Sequence, residues 1–246
     1  MQSESPRRSF LAHCGSLLGL LTLGKNEISL ANTSITPFHR CQLVDNNHQP
    51  LNLEHLKPNQ DYLFHYPYVT TPCFLINLDK PAKAVSDLST STGKRYKWSG
   101  GIGLNQSLVA FSAICAHRMS HPTRTVSFIG YRSKQTGFYN KSQHYERRGG
   151  IIQCCSEQSV YDPAEGGRVL GGPAPQPLAA IALETDSEQN IYAVGVTGGM
   201  MFDQYFERFG KRLLIEYERM DIDSPVGDQS RVITMQDYTG RTMECG

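Results

Sequence analysis

The segment Ile152-Gln153-Cys154-Cys155-Ser156-Glu157-Gln158-Ser159-Val160-Tyr161-Asp162-Pro163 decides how this chain is interpreted. It places two adjacent cysteines before a polar stretch that ends in Tyr-Asp-Pro. Upstream, the apolar segment 108–114 predicts a strand that leads directly to Cys115-Ala116-His117. Thiolate and imidazole are both ligands of transition metals. The two segments together therefore predict a metal centre built from two loops.

Length and composition favour one all-β domain. The chain has 246 residues, enough for a domain of about 200 residues and a leader. Its 24 basic and 23 acidic residues give a net charge of +1, which argues against a nucleic-acid-binding protein. The 22 glycines and 13 prolines separate short apolar runs, a pattern typical of many short strands and turns.

Several segments carry clear secondary-structure signals. Strands are predicted at residues 61–66 and 72–78, and a closing hairpin joins residues 178–184 to residues 190–196. The Ser-, Thr- and Lys-rich stretch at residues 79–98 predicts an exposed excursion.

Residues 201–217 predict a helix, because apolar side chains recur there at helical spacing. This apolar stripe is expected to pack in the core or on another subunit, and it comprises Phe202, Tyr205, Phe206, Phe209 and Leu213.

The first 31 residues differ from the rest. Arg7 and Arg8 precede an apolar run that is too short to span a bilayer comfortably, and Ser29-Leu30-Ala31 resembles a small-residue cleavage site. This predicts a twin-arginine signal peptide at residues 1–31, a mature domain at 32–246 and export to the periplasm. A retained signal would leave the protein membrane-associated. A buried N-terminal helix is the alternative interpretation.

Three motifs together resemble the Rieske iron–sulfur family, and especially the small subunit of arsenite oxidases. They are Cys115-Ala116-His117, Ser159-Val160-Tyr161-Asp162 and Gly171-Gly172-Pro173-Ala174-Pro175-Gln176-Pro177-Leu178. The likeness covers roughly residues 60–200. It implies an antiparallel β-sandwich or barrel, a small cluster-binding tip at about 113–177, and a C-terminal helical or extended segment.

The resemblance also implies a [2Fe–2S] cluster, whose two irons are bound by two thiolates and by two imidazoles. The first loop supplies Cys115 and His117, but the second loop lacks the histidine of the family's Cys-x-x-His sequence. Counting from Cys155 places Gln158 at the missing position, and we favour this register because glutamine is one base change from histidine. Ser159 then follows that position directly.

The fourth ligand stays open at this point. A glutamine oxygen is a poor ligand for iron in a sulfide cluster, so Gln158 occupies the position without matching it. A count from Cys154 places Glu157 there instead. The alternatives for the fourth ligand are Cys154, His121 and, on the long insert, His144.

Two other departures from the family concern the disulfide that joins the two loops and the length of the segment between them. Family members in quinol-oxidising complexes join the two loops by a disulfide, and Ser120 stands at the first-loop position of that bridge. The 37 residues between His117 and Cys155 predict a long insert at about 118–150. Its basic residues predict either a docking edge for an acidic partner or an ordinary solvated loop: Arg124, Arg132, Lys134, Lys141, Arg147 and Arg148.

The remaining cysteines leave their roles open. An oxidising compartment permits disulfides, so Cys41, Cys73 or Cys245 is a candidate for pairing. Each is equally compatible with a small buried apolar residue.

Two functions follow from the resemblance. The first is an electron-transfer subunit of an oxidoreductase, rather than a catalyst by itself, that passes electrons between a larger catalytic subunit and a cytochrome or cupredoxin. The second is a degenerate Rieske fold that has lost the cluster and acts as a structural or assembly subunit.

Overall fold

The computed structural model describes residues 35–245, so the predicted signal peptide lies outside the described residues. The described part is built almost entirely from short strands. In chain order they are β1 (Ile35–Val44), β2 (Asp61–His65), β3 (Pro72–Asn77), β4 (Val85–Ser89), β5 (Arg95–Trp98), β6 (Leu108–Ser112), β7 (Ile129–Arg132), β8 (Thr136–Tyr139), β9 (Tyr145–Arg148), β10 (Ile151–Cys154), β11 (Ser159–Asp162), β12 (Arg168–Gly171), β13 (Ala180–Thr185), β14 (Ile191–Thr197), β15 (Gln229–Arg231) and β16 (Ile233–Thr234). The helices are α1 (Phe202–Glu216) and α2 (Met235–Tyr238), and short 3₁₀ turns lie at Leu53–His55 and Pro163–Glu165.

The larger sheet has eight strands in the order β15-β1-β14-β13-β6-β3-β2-β16. All of its pairings are antiparallel except that of β1 with β15. A single residue, Val232, separates β15 on one edge from β16 on the other. The two edges must therefore lie side by side, and the sheet curls towards a closed barrel.

Both faces of the central strands are covered, which explains their unbroken apolar sequences. Every residue of β3 and β6 is buried. Cys73 and Leu75 point inward and share one cluster with side chains of β1, β14 and α1. Phe74 and Phe111 point outward and belong to a second cluster. The outward face of the large sheet therefore needs a covering layer.

A smaller sheet supplies that layer. Its four antiparallel strands follow the order β12-β11-β10-β7. Ile152, Tyr161 and Val169 project from it into the cluster that contains Phe74 and Phe111. This smaller sheet lies within residues 113–177, the range in which the sequence predicted a cluster-binding tip.

The long insert contains more structure than a surface loop. Ile129–Arg132, inside the predicted insert, is strand β7 of the smaller sheet. The hairpin of β8 and β9 covers the sheet's other face, where Phe138 packs with Ile151 and Val160. The stretch at residues 79–98 is likewise corrected from an exposed excursion to the hairpin of β4 and β5, which buries Tyr96 and Trp98.

The predicted all-β antiparallel class is confirmed, together with a C-terminal helix. The strands predicted at 61–66 and 72–78 and the closing hairpin lie within about two residues of their predicted bounds. No helix among residues 35–245 has the length and apolar character needed to cross a membrane.

Helix α1 packs on the core, which is one of the two locations predicted for its apolar stripe; the other was a contact with another subunit. Phe202, Tyr205 and Leu213 are buried in the inward cluster. His121 is also buried, with its ring edge-on to Tyr205 and Phe209 at centroid distances of 4.9 and 5.0 Å. Burial lowers the pKa of His121 to about 4. The helix therefore rests on a histidine that is neutral at pH 7.

We expect this histidine to make the fold sensitive to acid. A pKa of about 4 lies below the ordinary value for histidine of about 6.5. The unfolded chain therefore binds the proton first as the pH falls, and the stability contributed by neutral His121 is lost between those values. His121 alone should lower the free energy of unfolding by about 2–3 kcal/mol from pH 7 to pH 4.5.

The measurement is denaturant unfolding of wild type and His121→Phe at both pH values. The phenylalanine keeps the contacts with Tyr205 and Phe209 but cannot titrate. Between pH 7 and pH 4.5, the variant should therefore lose about 2–3 kcal/mol less free energy of unfolding than the wild type. Equal losses in the two proteins would contradict the prediction.

Candidate metal centre

The first loop of the site follows β6. Cys115 lies three residues beyond the strand and is 2% exposed. The loop turns back at once, because the N–H of Cys115 donates to Ser120 O at 2.9 Å and the N–H of Met119 donates to Cys115 O at 2.9 Å. Tyr161 reaches over from the smaller sheet, and its hydroxyl lies 3.2 Å from Cys115 Sγ and accepts the N–H of Ala116. The first loop is thus held against β11.

The second loop is the turn between β10 and β11, and alternation along β10 fixes which cysteine enters the site. Successive side chains of a strand point to opposite faces. Ile152 and Cys154 share the face that packs on the large sheet, whereas Ile151 belongs to the cluster on the other face. Cys155 lies beyond the last paired residues of the strand. The strand therefore directs Cys154, and not Cys155, towards the first loop.

Cys115 and Cys154 are both buried in the cluster between the two sheets, and each affects the pKa of the other. The hydrogen bond from Cys154 lowers the pKa of Cys115, and the hydroxyl of Tyr161 and the backbone N–H groups of His117 and Arg118 lower it further. The pKa of Cys154 is raised, chiefly because it donates its proton to Cys115. The lowered pKa favours the thiolate form of Cys115, and the raised pKa favours the thiol form of Cys154. One of them carries thiolate character inside a water-poor site.

The same two loops also contribute a second pair of possible metal ligands, the imidazole of His117 and the carboxylate of Glu157. His117 Nδ1 lies 3.3 Å from Glu157 Oε2, and Arg118 Nε lies 2.6 Å from Glu157 Oε1. The side chains of His117 and Glu157 are 23% and 39% exposed. A carboxylate of the second loop therefore stands opposite the imidazole of the first loop.

The structure corrects the predicted register of the second loop. Cys155 forms a disulfide with Cys245, so its sulfur is not a thiolate that can bind iron. Gln158 is exposed at the end of the turn and adopts a φ of 62°, with a side chain that no hydrogen bond directs into the site. Counting from Cys154 places Glu157 at the fourth position. Cys115 and Cys154 thus share one buried cluster, and His117 and Glu157 form an ion pair between the same two loops.

Two other predicted residues have different roles. His121 faces helix α1, with Nδ1 3.0 Å from Met119 O, and does not reach the thiol pair. Ser120, which the resemblance placed at the position of a bridging cysteine, accepts the N–H of Cys115 through its backbone carbonyl. Ser120 therefore helps to close the turn of the first loop.

The loop Gly171-Gly172-Pro173 packs against the backbone of the second loop. Gly172 has a φ of 74°, and a side chain there would collide with the backbone of Gln158 and Ser159. Glycine alone accepts both the left-handed conformation and this close approach. Ser159 begins β11 with a buried hydroxyl that finds no hydrogen-bond partner among the described residues.

The C-terminal tail braces the outer side of the second loop. Residues 240–243 run beside residues 124–127, where Met243 N–H donates to Ser127 O at 2.8 Å. Arg132 donates to Met243 O and lies 3.6 Å from Cys155 Sγ. The Cys155–Cys245 disulfide completes the attachment. Cys41 and Cys73, the other candidates for pairing, are free and buried.

The possible metal ligands of the two loops form two pairs rather than one group. Among residues 35–245, no three His, Cys, Asp or Glu side chains converge as ligands of one ion. The donors instead form two pairs, a thiol pair and an imidazole–carboxylate pair. The unpartnered hydroxyl of Ser159 next to the thiol pair agrees with a polar group in this place, since buried polar atoms rarely go unsatisfied.

No protein-family model matches the sequence. Among solved structures, the chain is similar to the soluble domain of the Rieske protein II (soxF) from Sulfolobus acidocaldarius, with a TM-score of 0.44 and 24% sequence identity. The match covers 66% of this chain and 82% of that chain. The assignment of the donors rests on their own contacts.

The disulfide should contribute strongly to stability. It joins residues 90 positions apart, and crosslinks over long loops stabilise mainly by restricting the unfolded chain. We expect Cys245→Ser to lower the free energy of unfolding by about 2–4 kcal/mol, measured by urea denaturation without reductant.

A thiol reductant serves as the control, because it should bring the wild type down to the stability of the variant. Equal stabilities of the two oxidised proteins would show that the tail is not crosslinked.

Proposed function

We propose that this protein is an electron-transfer subunit that holds a Rieske-type [2Fe–2S] cluster between its two loops. Cys115 and Cys154 would hold one iron, and His117 would bind the other. The observation that carries the proposal is that two buried thiols from two separate loops share one cluster of packed side chains, and that an imidazole follows the first thiol by two residues. When bound, such a cluster accepts and releases single electrons. The protein would act with a partner rather than as a catalyst by itself.

The residues around the donors suit this role. Cys115 and Cys154 are 2% and 1% exposed, so their sulfurs are shielded from water. The hydroxyl of Tyr161 and the N–H groups of the first loop stabilise negative charge on Cys115. His117 is more exposed than either cysteine, which gives an electron its shortest route from the site to a docked partner.

Location and partners belong to the same proposal. The paired Arg7 and Arg8 favour export by the twin-arginine route, and a disulfide suits the oxidising periplasm. The electron would pass between a larger oxidoreductase subunit and a cytochrome or cupredoxin.

The insert offers a smaller docking edge than its six basic residues suggest. Arg132 contacts the C-terminal tail, Arg148 pairs with Asp162, and Arg124 stacks on Tyr238. The three remaining cations of the six are exposed and free for an acidic partner: Lys134, Lys141 and Arg147.

The second candidate is a structural subunit without a cluster. It is favoured by the contacts of Glu157 with His117 and Arg118, which join the two loops directly through ionic groups. In that case the domain would assemble or anchor a partner. Iron content separates the two candidates.

We expect the full chain, produced and purified anaerobically, to contain about two irons and two acid-labile sulfides per chain. Cys115→Ser and Cys154→Ser should each reduce the iron content by at least about tenfold, because a hydroxyl is a much poorer ligand than a thiolate. The double variant Cys155→Ser/Cys245→Ser should keep its iron. Iron and sulfide assays with visible spectra provide the measurement.

Cys73→Ala is the matched control, since it removes another buried thiol at a distance from the site. It should leave the iron content unchanged, and circular dichroism should show that every variant folds. A folded wild type without iron would favour the structural candidate.

A further inference from the structure

The structure leaves one suitable donor for the fourth ligand position. Cys155 is held in a disulfide, and Gln158 is a neutral amide exposed on the turn. His121 is committed to the contact with helix α1. Only the carboxylate of Glu157, among these candidates, faces His117 Nδ1.

The two oxygens of Glu157 have different surroundings. Oε1 lies 2.6 Å from Arg118 Nε, a distance typical of a strong ionic hydrogen bond. Oε2 lies 3.3 Å from His117 Nδ1, which is longer than the roughly 2.7–2.9 Å of a charge-assisted hydrogen bond. One oxygen is thus held by arginine, and the other makes only the longer contact with His117.

The spacing of Oε2 and Nδ1 suits two ligands of one iron. Nitrogen and oxygen ligands of a tetrahedral metal lie at about 2.0–2.2 Å, so two of them are about 3.4 Å apart. The observed separation of 3.3 Å agrees with this value.

We infer that Glu157 supplies the fourth ligand of the cluster, through Oε2, and that Arg118 is the positioning residue that orients it. This inference rests on the proposed function. The ligand set becomes two thiolates, one imidazole and one carboxylate. Because a carboxylate is anionic and an imidazole is neutral, this cluster carries more negative charge than one with two imidazoles and has a lower reduction potential. The Arg118 guanidinium offsets part of that charge.

Two histidine substitutions, one residue apart, test the inference. Glu157→His should retain the iron, change the electron paramagnetic resonance spectrum of the reduced protein and raise its reduction potential. Gln158→His is the matched control, because it adds the same imidazole where the structure places no ligand, and it should leave iron content, spectrum and potential unchanged. Glu157→Gln should lose most of its iron.

The outcomes separate this inference from the proposed function. If the wild type holds iron and Gln158→His shifts the spectrum while Glu157→His does not, Glu157 is not the ligand. The proposal that the protein holds a cluster would still hold. Iron binding by Glu157→Gln with an unchanged spectrum also overturns the inference alone. A wild type without iron overturns the proposed function and the inference with it.

Arg118 receives its own test. Arg118→Met should lower the reduction potential and speed the loss of iron to a chelator, because it removes a positive charge and the contact that holds Oε1. Arg124→Met changes the net charge equally but lies on the ring of Tyr238, so it is the matched control and should alter neither quantity. Equal effects of the two substitutions would contradict a positioning role for Arg118.

Discussion

The site depends on the contact between Cys115 and Cys154, which joins the two sheets at one point. Cys115 lies on the loop that follows strand β6 of the barrel-like sheet, and Cys154 lies on the inward face of the smaller sheet. Their sulfurs meet only because Ile152 and Tyr161, on that same face, pack against the barrel. The register of one short hairpin therefore determines which cysteine reaches the site. A shift by one residue would turn Cys154 to the opposite face.

Much of the fold could be predicted from the sequence, because its signals are local. Alternating or unbroken apolar runs between glycines and prolines located the strands at 61–66 and 72–78 and the closing hairpin. The polar stretch at 79–98 was misjudged, since its few apolar residues, among them Tyr96 and Trp98, pack against a distant sheet. Composition within a window does not record such long-range contacts.

The site was harder to predict than the fold. Cys115 and His117 lie on the first loop, and their role as ligands stays a prediction. The choice of Cys155 rested on the similarity of codons and on Ser159 following position 158, and neither reason determines the direction of a side chain. The alternation of Ile152 and Cys154 in the sequence already favoured Cys154. The disulfide partner of Cys155 could not be inferred, because pairing over 90 residues depends on the completed fold. Glu157 was visible only as the residue three positions beyond Cys154.

The pairing state of the two adjacent cysteines tests the account most directly. The full chain would be purified without reductant, alkylated after acid removal of iron, digested and sequenced by fragment-ion mass spectrometry, which locates the alkyl group on Cys154 or Cys155. The account predicts a Cys155–Cys245 crosslink, with Cys115 and Cys154 recovered as free thiols. A Cys154–Cys245 crosslink with a free Cys155 would contradict it and restore the register that begins at Cys155.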